Sequence, residues 1–360
     1  ERPAKEAALR ARAAAVAALD AMLPEKLRAA GMEKLYFDIE LPLCTVLARM
    51  EPEGVLVDQM ELVAFGNMLN SGIASDQAEI FRYAGQEFNI NSPKQLGEIL
   101  FEKLELPAQK KTKSGYSTNA DVLEKLRSKH PIVEAILDYR TLSKLKSTYA
   151  DGLVKQIADD GRIHTTFQNM VTATGRLSST EPNLQNIPVR TELGSEIRKM
   201  FVPKDGCVVV DADYSQIELR VLAHIAQDKH MQQAFTSGMD IHTATASQVF
   251  HVAPEQVTPL MRRHAKAVNF GIVYGISEFS LAEDIGVTRK EAKAYIESYL
   301  ENYAGVRQYM HDIVAQAKQD GYVTTLFGRR RNLPELKSSN FNIRSFGERV
   351  ALNTPIQGTA

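Results

Sequence analysis

Along most of this chain apolar residues recur at steps of three and four, and only a few stretches change to alternation or to continuous apolar runs. Residues 1 to about 30 read as helix ending near Gly31. Ile39, Leu43, Val46, Leu47 and Met50 carry the same period up to Glu53 and Gly54, where a short strand, GVLVD, takes over. After a pair of helices, Ser92, Pro93 and Gln95 spell a helix start, with Ser92 as N-cap and Gln95 completing a capping box. A second start is expected at Thr118, with Asp121 three residues on. Ile132, Ile136, Leu137, Leu142, Leu145, Tyr149 and Leu153 predict one long helix from His130 to Ile157. Residues 162–188 alternate polar and apolar side chains and are broken by Gly and Pro, so they read as β-structure with loops. Residues 237–320 return to the helical period, and 321–334 resemble a hairpin before a last helix. No internal repeat or low-complexity segment interrupts this order.

The stretch that organises the rest runs from Cys207 to Asp228. Its β-branched run ends in Asp211 and Asp213, and Ile217, Val221, Leu222 and Ile225 follow at helical spacing. This predicts a buried strand feeding an amphipathic helix. A carboxylate at the strand's tip is a fitting oxygen ligand for Mg²⁺. Ser215 and Glu218 would also make an ordinary capping box for that helix.

Two further patterns suggest what such a carboxylate would work on. Arg262, Lys266, Phe270 and Tyr274 are each four residues from the next, so they share one helix side, with Arg262 and Phe270 about 12 Å apart along the axis. Cations followed by rings over that length suit a nucleoside triphosphate, although a solvent-facing basic patch would look similar. Arg349, Asn353 and Gln357 also repeat every four residues, and Arg176, Gln185 and Asn186 lie in the loop-rich segment. Such donors can engage the acceptors that every base pair shows in the minor groove. Pro355 predicts a bend in the last helix. Lys110, Lys111 and Lys113 occupy a polar loop that suits phosphate contacts equally as well as plain solvation.

Composition changes little. At 360 residues the chain exceeds what one core usually fills, and 44% hydrophobic with 24% charged residues is ordinary for a globular protein. A formal charge of −1 excludes a uniformly basic nucleic-acid coat but leaves room for a local basic groove. Cys44 and Cys207 sit among apolar neighbours, so both are expected to be buried, in a reducing compartment. No apolar run approaches the roughly 20 residues of a membrane span. The Ala- and Arg-rich opening carries Glu6 and Asp20 and no initiating Met, so it reads as part of a longer chain rather than as a transit peptide.

TGRLSS at 174–179, EPNLQNIP at 181–188, DYSQIELR at 213–220, RRHAKAVNFGIVYG at 262–275 and NTPIQGTA at 353–360 closely resemble the bacterial polymerase I branch of the family A DNA polymerases, in its large, Klenow-like part. The resemblance implies an α+β, multidomain, right-hand architecture, with helical thumb and fingers around an antiparallel palm sheet. Residues 1–30 would be the tail of a 3′–5′ exonuclease-like domain, 31–160 the thumb, 161–236 the first part of the palm, 237–345 the fingers and 346–360 a return toward the palm. It implies a cytoplasmic, nucleoid-associated monomer that adds dNTPs to the primer of a primer-template DNA with two Mg²⁺ ions, in replication and repair. Carried over by motif, Asp213 is the ligand shared by both metals and the Tyr214 carbonyl also faces a metal. Arg262, Lys266 and His242 meet the triphosphate, Phe270 stacks near base and sugar, and Tyr274 closes the pocket. Gln216 lies where backbone approaches the triphosphate. Glu218 is the gate against a ribose 2′ hydroxyl. Arg176, Gln185, Asn186, Arg349, Asn353 and Gln357 would contact the duplex.

Asp211 has no catalytic counterpart in the family and is read as structural. The family's later HDE motif, source of a second metal-binding carboxylate, does not occur before the chain stops; His311-Asp312 resembles part of it but lies in a helical pattern. A single-subunit RNA polymerase shares the Asp and the Arg/Lys/Tyr helix, and Glu218 argues against it. A domain that binds primer-template without catalysis is the other alternative.

Overall fold

The computed structural model describes residues 2–108, 111–112, 115–189 and 191–360, and the chain divides into two compact units. The α+β class stands: helices dominate, and the described strands form four two-stranded antiparallel ladders. Among the described residues no helix is long and apolar enough to cross a membrane.

One unit holds residues 47–168 and 178–210. Its longest helix, Gln59–Ala84, is started by Asp58, which accepts from Glu61 N at 3.0 Å, and is stopped by left-handed Gly85. Leu62, Leu69 and Ile80 on its inner face are at most 2% exposed, each burial being worth about 1.5–3 kcal/mol. The helix packs on Pro131–Lys144, which continues through a π-helical turn, Leu145–Ala150, into Asp151–Val154. The long helix predicted from His130 is therefore present, with a local widening. Ser92 caps Pro93–Gly97 as expected, but Gln95 Oε1 accepts from Asn89 N rather than closing the box. The next helix starts at Asn119, not Thr118, because the Thr118 carbonyl and hydroxyl accept from Arg140. Val55–Leu56 pairs with Arg162–Ile163, and Lys111–Thr112 with Gly115–Tyr116. Lys110 and Lys113 lie outside the described residues.

The other unit holds residues 1–46, 169–177 and 211–360. Its core gathers Leu219, Leu222, Ile241, Val268, Ile272, Leu281 and Ile356 around the rings of Tyr299 and Tyr303, which meet at a tilt with centroids 4.7 Å apart. The expected hairpin is formed by Tyr322–Thr324 and Arg330–Asn332. The last helix, Phe341–Thr359, runs through Pro355.

Three expectations fail here. Cys207–Val210 is not a buried strand: Val208, Val209 and Val210 are 80%, 71% and 81% exposed. β-branched residues favour extended backbone, but a strand exists only where a neighbour completes its hydrogen bonds, and among the described residues none pairs with it. Both cysteines are exposed, so their apolar neighbours in sequence did not bury them. Asp211, read as structural, is exposed in irregular backbone.

Candidate active site

The helix Ile217–Ile225 is entered through Gln216, which takes left-handed backbone at φ 56° with no side-chain cap. A non-glycine residue in that region costs on the order of 1 kcal/mol, and the strained turn separates Asp213 from Glu218. Asp213 and Tyr214 are exposed, Tyr214 by 76%. Five residues of chain keep the Cα of Asp213 within about 18 Å of that of Glu218, even when fully extended.

The capping box expected of Ser215 and Glu218 is not made. Glu218 instead turns to two partners: Arg176 Nη2 donates to its Oε1 at 2.6 Å, and the Tyr274 hydroxyl donates to its Oε2 at 3.2 Å. The Gln357 side chain lies beside the Tyr274 phenol and favours its ionised form. Burial, and then the Glu218 carboxylate, push the Tyr274 phenol above its usual range, so it remains a donor. Three side chains from three separate stretches thus form one bonded cluster within this unit, with Gln357 beside it.

Arg262, Lys266, Phe270 and Tyr274 all lie on the Pro259–Tyr274 helix, as their spacing required. Thr258 caps it and left-handed Gly275 ends it. Lys266 Nζ stands 6.0 Å from the centre of the Phe270 ring, at the limit of cation–π attraction. Arg262 is engaged by Asp240 in a two-pronged pair, Nε to Oδ2 at 2.8 Å and Nη2 to Oδ1 at 3.0 Å. Asp240 also caps the Ile241–Phe250 helix by accepting from the amide and hydroxyl of Thr243. Burial opposes ionisation of Asp240, but Arg262 and Thr243 outweigh it and hold the carboxyl far below the usual range.

His242 is 3% exposed, with its ring 6.0 Å from that of Phe270. Asn269 Nδ2 donates to His242 Nδ1 at 3.1 Å, which leaves Nε2 to carry the proton of the neutral ring. Burial chiefly, with Arg262 and Lys266 beside it, lowers the imidazole's affinity for a second proton against the pull of Asp240. The unfolded chain takes up that proton below about pH 6.5 while the folded site resists it, so His242 removes stability as pH falls through that value. An NMR titration should find this imidazole protonating below the ordinary value; protonation at or above it would contradict the buried, cation-flanked environment.

The stripe on the last helix lies against the end of the Pro259–Tyr274 helix. Asn353 Nδ2 donates to the Val273 carbonyl at 3.4 Å, and a Cβ on Gly275 would come within 2.9 Å of Arg349 Cγ. Arg349 Nη1 bonds Ser345 Oγ at 3.1 Å. Gln185 and Asn186 belong to the other unit, in the turn Leu184–Asn186. There the Gln185 amide donates to Asn183 Oδ1 at 3.0 Å, and the Asn186 carbonyl accepts from Tyr149. His311 and Asp312 sit 79% and 60% exposed on the helix Ala304–Asp320, away from any acidic cluster among the described residues.

Sequence reasoning missed Asp240 and Asn269. Asp240 three residues before Thr243 is an N-cap spacing, and Asn269 is a polar residue on an otherwise apolar face, 0% exposed. No group of three or more His, Cys, Asp or Glu side chains that could by themselves hold a metal ion is found among the described residues.

The family model for DNA polymerase family A matches residues 59–360. The chain is 56% identical over 351 residues to DNA polymerase I of Geobacillus stearothermophilus and, over the same length, 56% identical to that of Bacillus subtilis, covering 97% of this chain and 40% of each relative. The solved POL domain of Pol1 from M. smegmatis, in complex with DNA primer-template and dNTP, superimposes with a TM-score of 0.88 at 45% identity, over 97% of this chain and 62% of that one. The chain belongs to DNA polymerase family A.

Proposed function

We propose that this chain is the polymerising part of a bacterial DNA polymerase, extending the 3′ hydroxyl of a primer paired to a template with incoming dNTPs, as a monomer at the nucleoid in the cytoplasm. The observation that carries this reading is the bonded cluster of Arg176, Glu218 and Tyr274, with Gln357 beside it, at the end of the cation-and-ring helix. It gathers the separate motifs of the family into one place. The kinship with a domain solved together with primer-template and dNTP supports the partners.

In this reading Arg262 and Lys266 hold the triphosphate, Phe270 stacks beside the sugar and base, and Tyr274 with Glu218 bounds the sugar. Arg262 remains 46% exposed while paired to Asp240, so part of its fork can still meet phosphate oxygens. His242 serves from beneath, its Nε2 proton directed by Asn269. Gln216 brings backbone close to the triphosphate. Arg176, Gln357, Asn353, Arg349, Gln185 and Asn186 contact the duplex, as do Lys110, Lys111 and Lys113. Residues 31–160 then act as thumb, 161–236 as palm, 237–345 as fingers and 346–360 as the return toward the palm, with 1–30 the end of an exonuclease-like domain.

The exposed carboxylate of Asp213 and the adjoining Tyr214 carbonyl are hard oxygen donors of the kind Mg²⁺ takes, with phosphates and water completing its shell. When bound, two Mg²⁺ ions would supply charge stabilisation at the attacking and leaving oxygens.

Offering the complete natural protein a labelled primer-template with one dNTP at a time tests this function. Extension is expected only with the dNTP complementary to the template base, and extension that ignores the template would contradict the reading. Lys266→Ala should raise the KM for dNTP by about tenfold to a hundredfold, the value of one lost charge-assisted hydrogen bond, with the Kd for duplex nearly unchanged. Equal losses in both would make the helix a DNA-binding surface instead.

A further inference from the structure

Arg176 reaches Glu218 from residues 169–177, which run as turns and bends with no helix or strand of their own. What holds this loop is therefore external. Gly175 is left-handed at φ 87°, and a Cβ there would lie 2.4 Å from Nε and 2.6 Å from Cζ of Arg329. The Arg329 guanidinium thus rests on backbone that only glycine leaves open. Arg329 comes from the hairpin turn, where its amide donates to Thr325 Oγ1 at 3.0 Å and its carbonyl accepts from Thr325 N at 2.9 Å. Its Nη2 donates to Glu40 Oε1 in an ion pair whose side chains are 22% and 14% exposed. Arg329 Nε is buried without an acceptor among the described residues, so Glu40 is the guanidinium's principal anchor. Glu40, Gly175, Arg176, Arg329 and Gln357 line one cavity of about 290 Å³.

We propose that the Glu40–Arg329 pair is a positioning device for sugar discrimination: by seating the guanidinium on Gly175 it fixes where Arg176 holds Glu218. This rests on the reading of Glu218 as the sugar gate. Without the Glu40 carboxylate, Arg329 would be a half-buried, unpaired cation and would swing toward water. The loop at Gly175 would then lose its support, Arg176 would loosen from Glu218, and the gate would keep only its bond to Tyr274. Asp213 and the triphosphate-holding cations are untouched by this change, and any loss through Arg176 at the duplex falls on dNTP and rNTP alike, so the ratio between the two sugars reads the gate.

Glu40→Gln and Arg329→Gln in the complete protein, each assayed for kcat/KM with a dNTP and its matching rNTP on one primer-template, test the proposal. The ratio of the two values does not depend on the folded fraction, so a purely structural role would leave it unmoved. Both variants should lower the ratio by about tenfold, within the range that an ångström-scale misplacement costs, and the double variant should be no worse than either. Arg329→Lys, which keeps the charge but not the fork, should recover part of it. Glu218→Ala is the control. If it lowers the ratio while Glu40→Gln does not, the positioning role is overturned and the gate stands. If Glu218→Ala also leaves the ratio unchanged, the reading of the gate itself has failed. Should Arg329→Gln not fold, Glu40→Gln, nearly identical in shape, decides alone.

Discussion

Asp213→Ala is expected to slow primer extension by about 10³-fold or more, the several kcal/mol that a catalytic metal contributes, at about 1.4 kcal/mol per tenfold. The side chain is exposed in irregular backbone, so Tm should shift by little. Binding of the primer-template duplex should persist, because the proposed duplex contacts lie on other elements. Loss of extension with retained folding and duplex binding is the expected combination, measured by single-turnover extension, thermal unfolding and a binding titration. Unchanged extension would remove Asp213 from the chemistry.

The second large effect is expected at Glu218. Arg176 at 2.6 Å and Tyr274 at 3.2 Å hold its carboxylate from two directions, and its side chain is 13% exposed, so it stands as a fixed obstacle rather than a mobile acid. Glu218→Ala should raise kcat/KM for rNTPs by about 10²-fold relative to dNTPs, close to 2.7 kcal/mol of lost discrimination. Its partner Arg176 is 56% exposed and can turn to water, so stability should change little. The same substitution removes one of the groups that raise the Tyr274 phenol, whose ionisation in a spectroscopic pH titration should move back toward its ordinary value. An rNTP rate that stays at the level of the parent would refute the gate. It would also reopen the alternative of an RNA polymerase, for which Glu218 is the discriminating residue.

Much of this was legible in the sequence where one helix carries the whole signal. Arg262, Lys266, Phe270 and Tyr274 share a face because the period of the helix leaves no other outcome, and the buried stripes of Gln59–Ala84 and Pro131–Lys144 follow the same rule. Local reasoning failed where a partner outside the window decides. The run Cys207–Val210 has strand propensity but no partner strand among the described residues. Ser215 and Glu218 have capping-box spacing, yet left-handed Gln216 starts the helix one residue later and releases Glu218 to Arg176. Thr118 lost the cap to Asn119 because Arg140 already occupies its oxygens. The Glu40–Arg329 pair joins residues 289 positions apart, and nothing local to either announces it. The family's motifs pointed to a chemistry without revealing which neighbours hold the side chains in place.

The central claim is that the acidic turn at Asp213 and the cation-and-ring face of the Pro259–Tyr274 helix serve one bound nucleotide. A crystal structure of the complete protein with primer-template, the complementary dNTP and a non-reactive divalent cation such as Ca²⁺ tests this directly. The account predicts the triphosphate on Arg262 and Lys266 with the cation bridging it to Asp213. A nucleotide bound with its phosphates away from that helix, or with Asp213 out of reach of the cation, would contradict it.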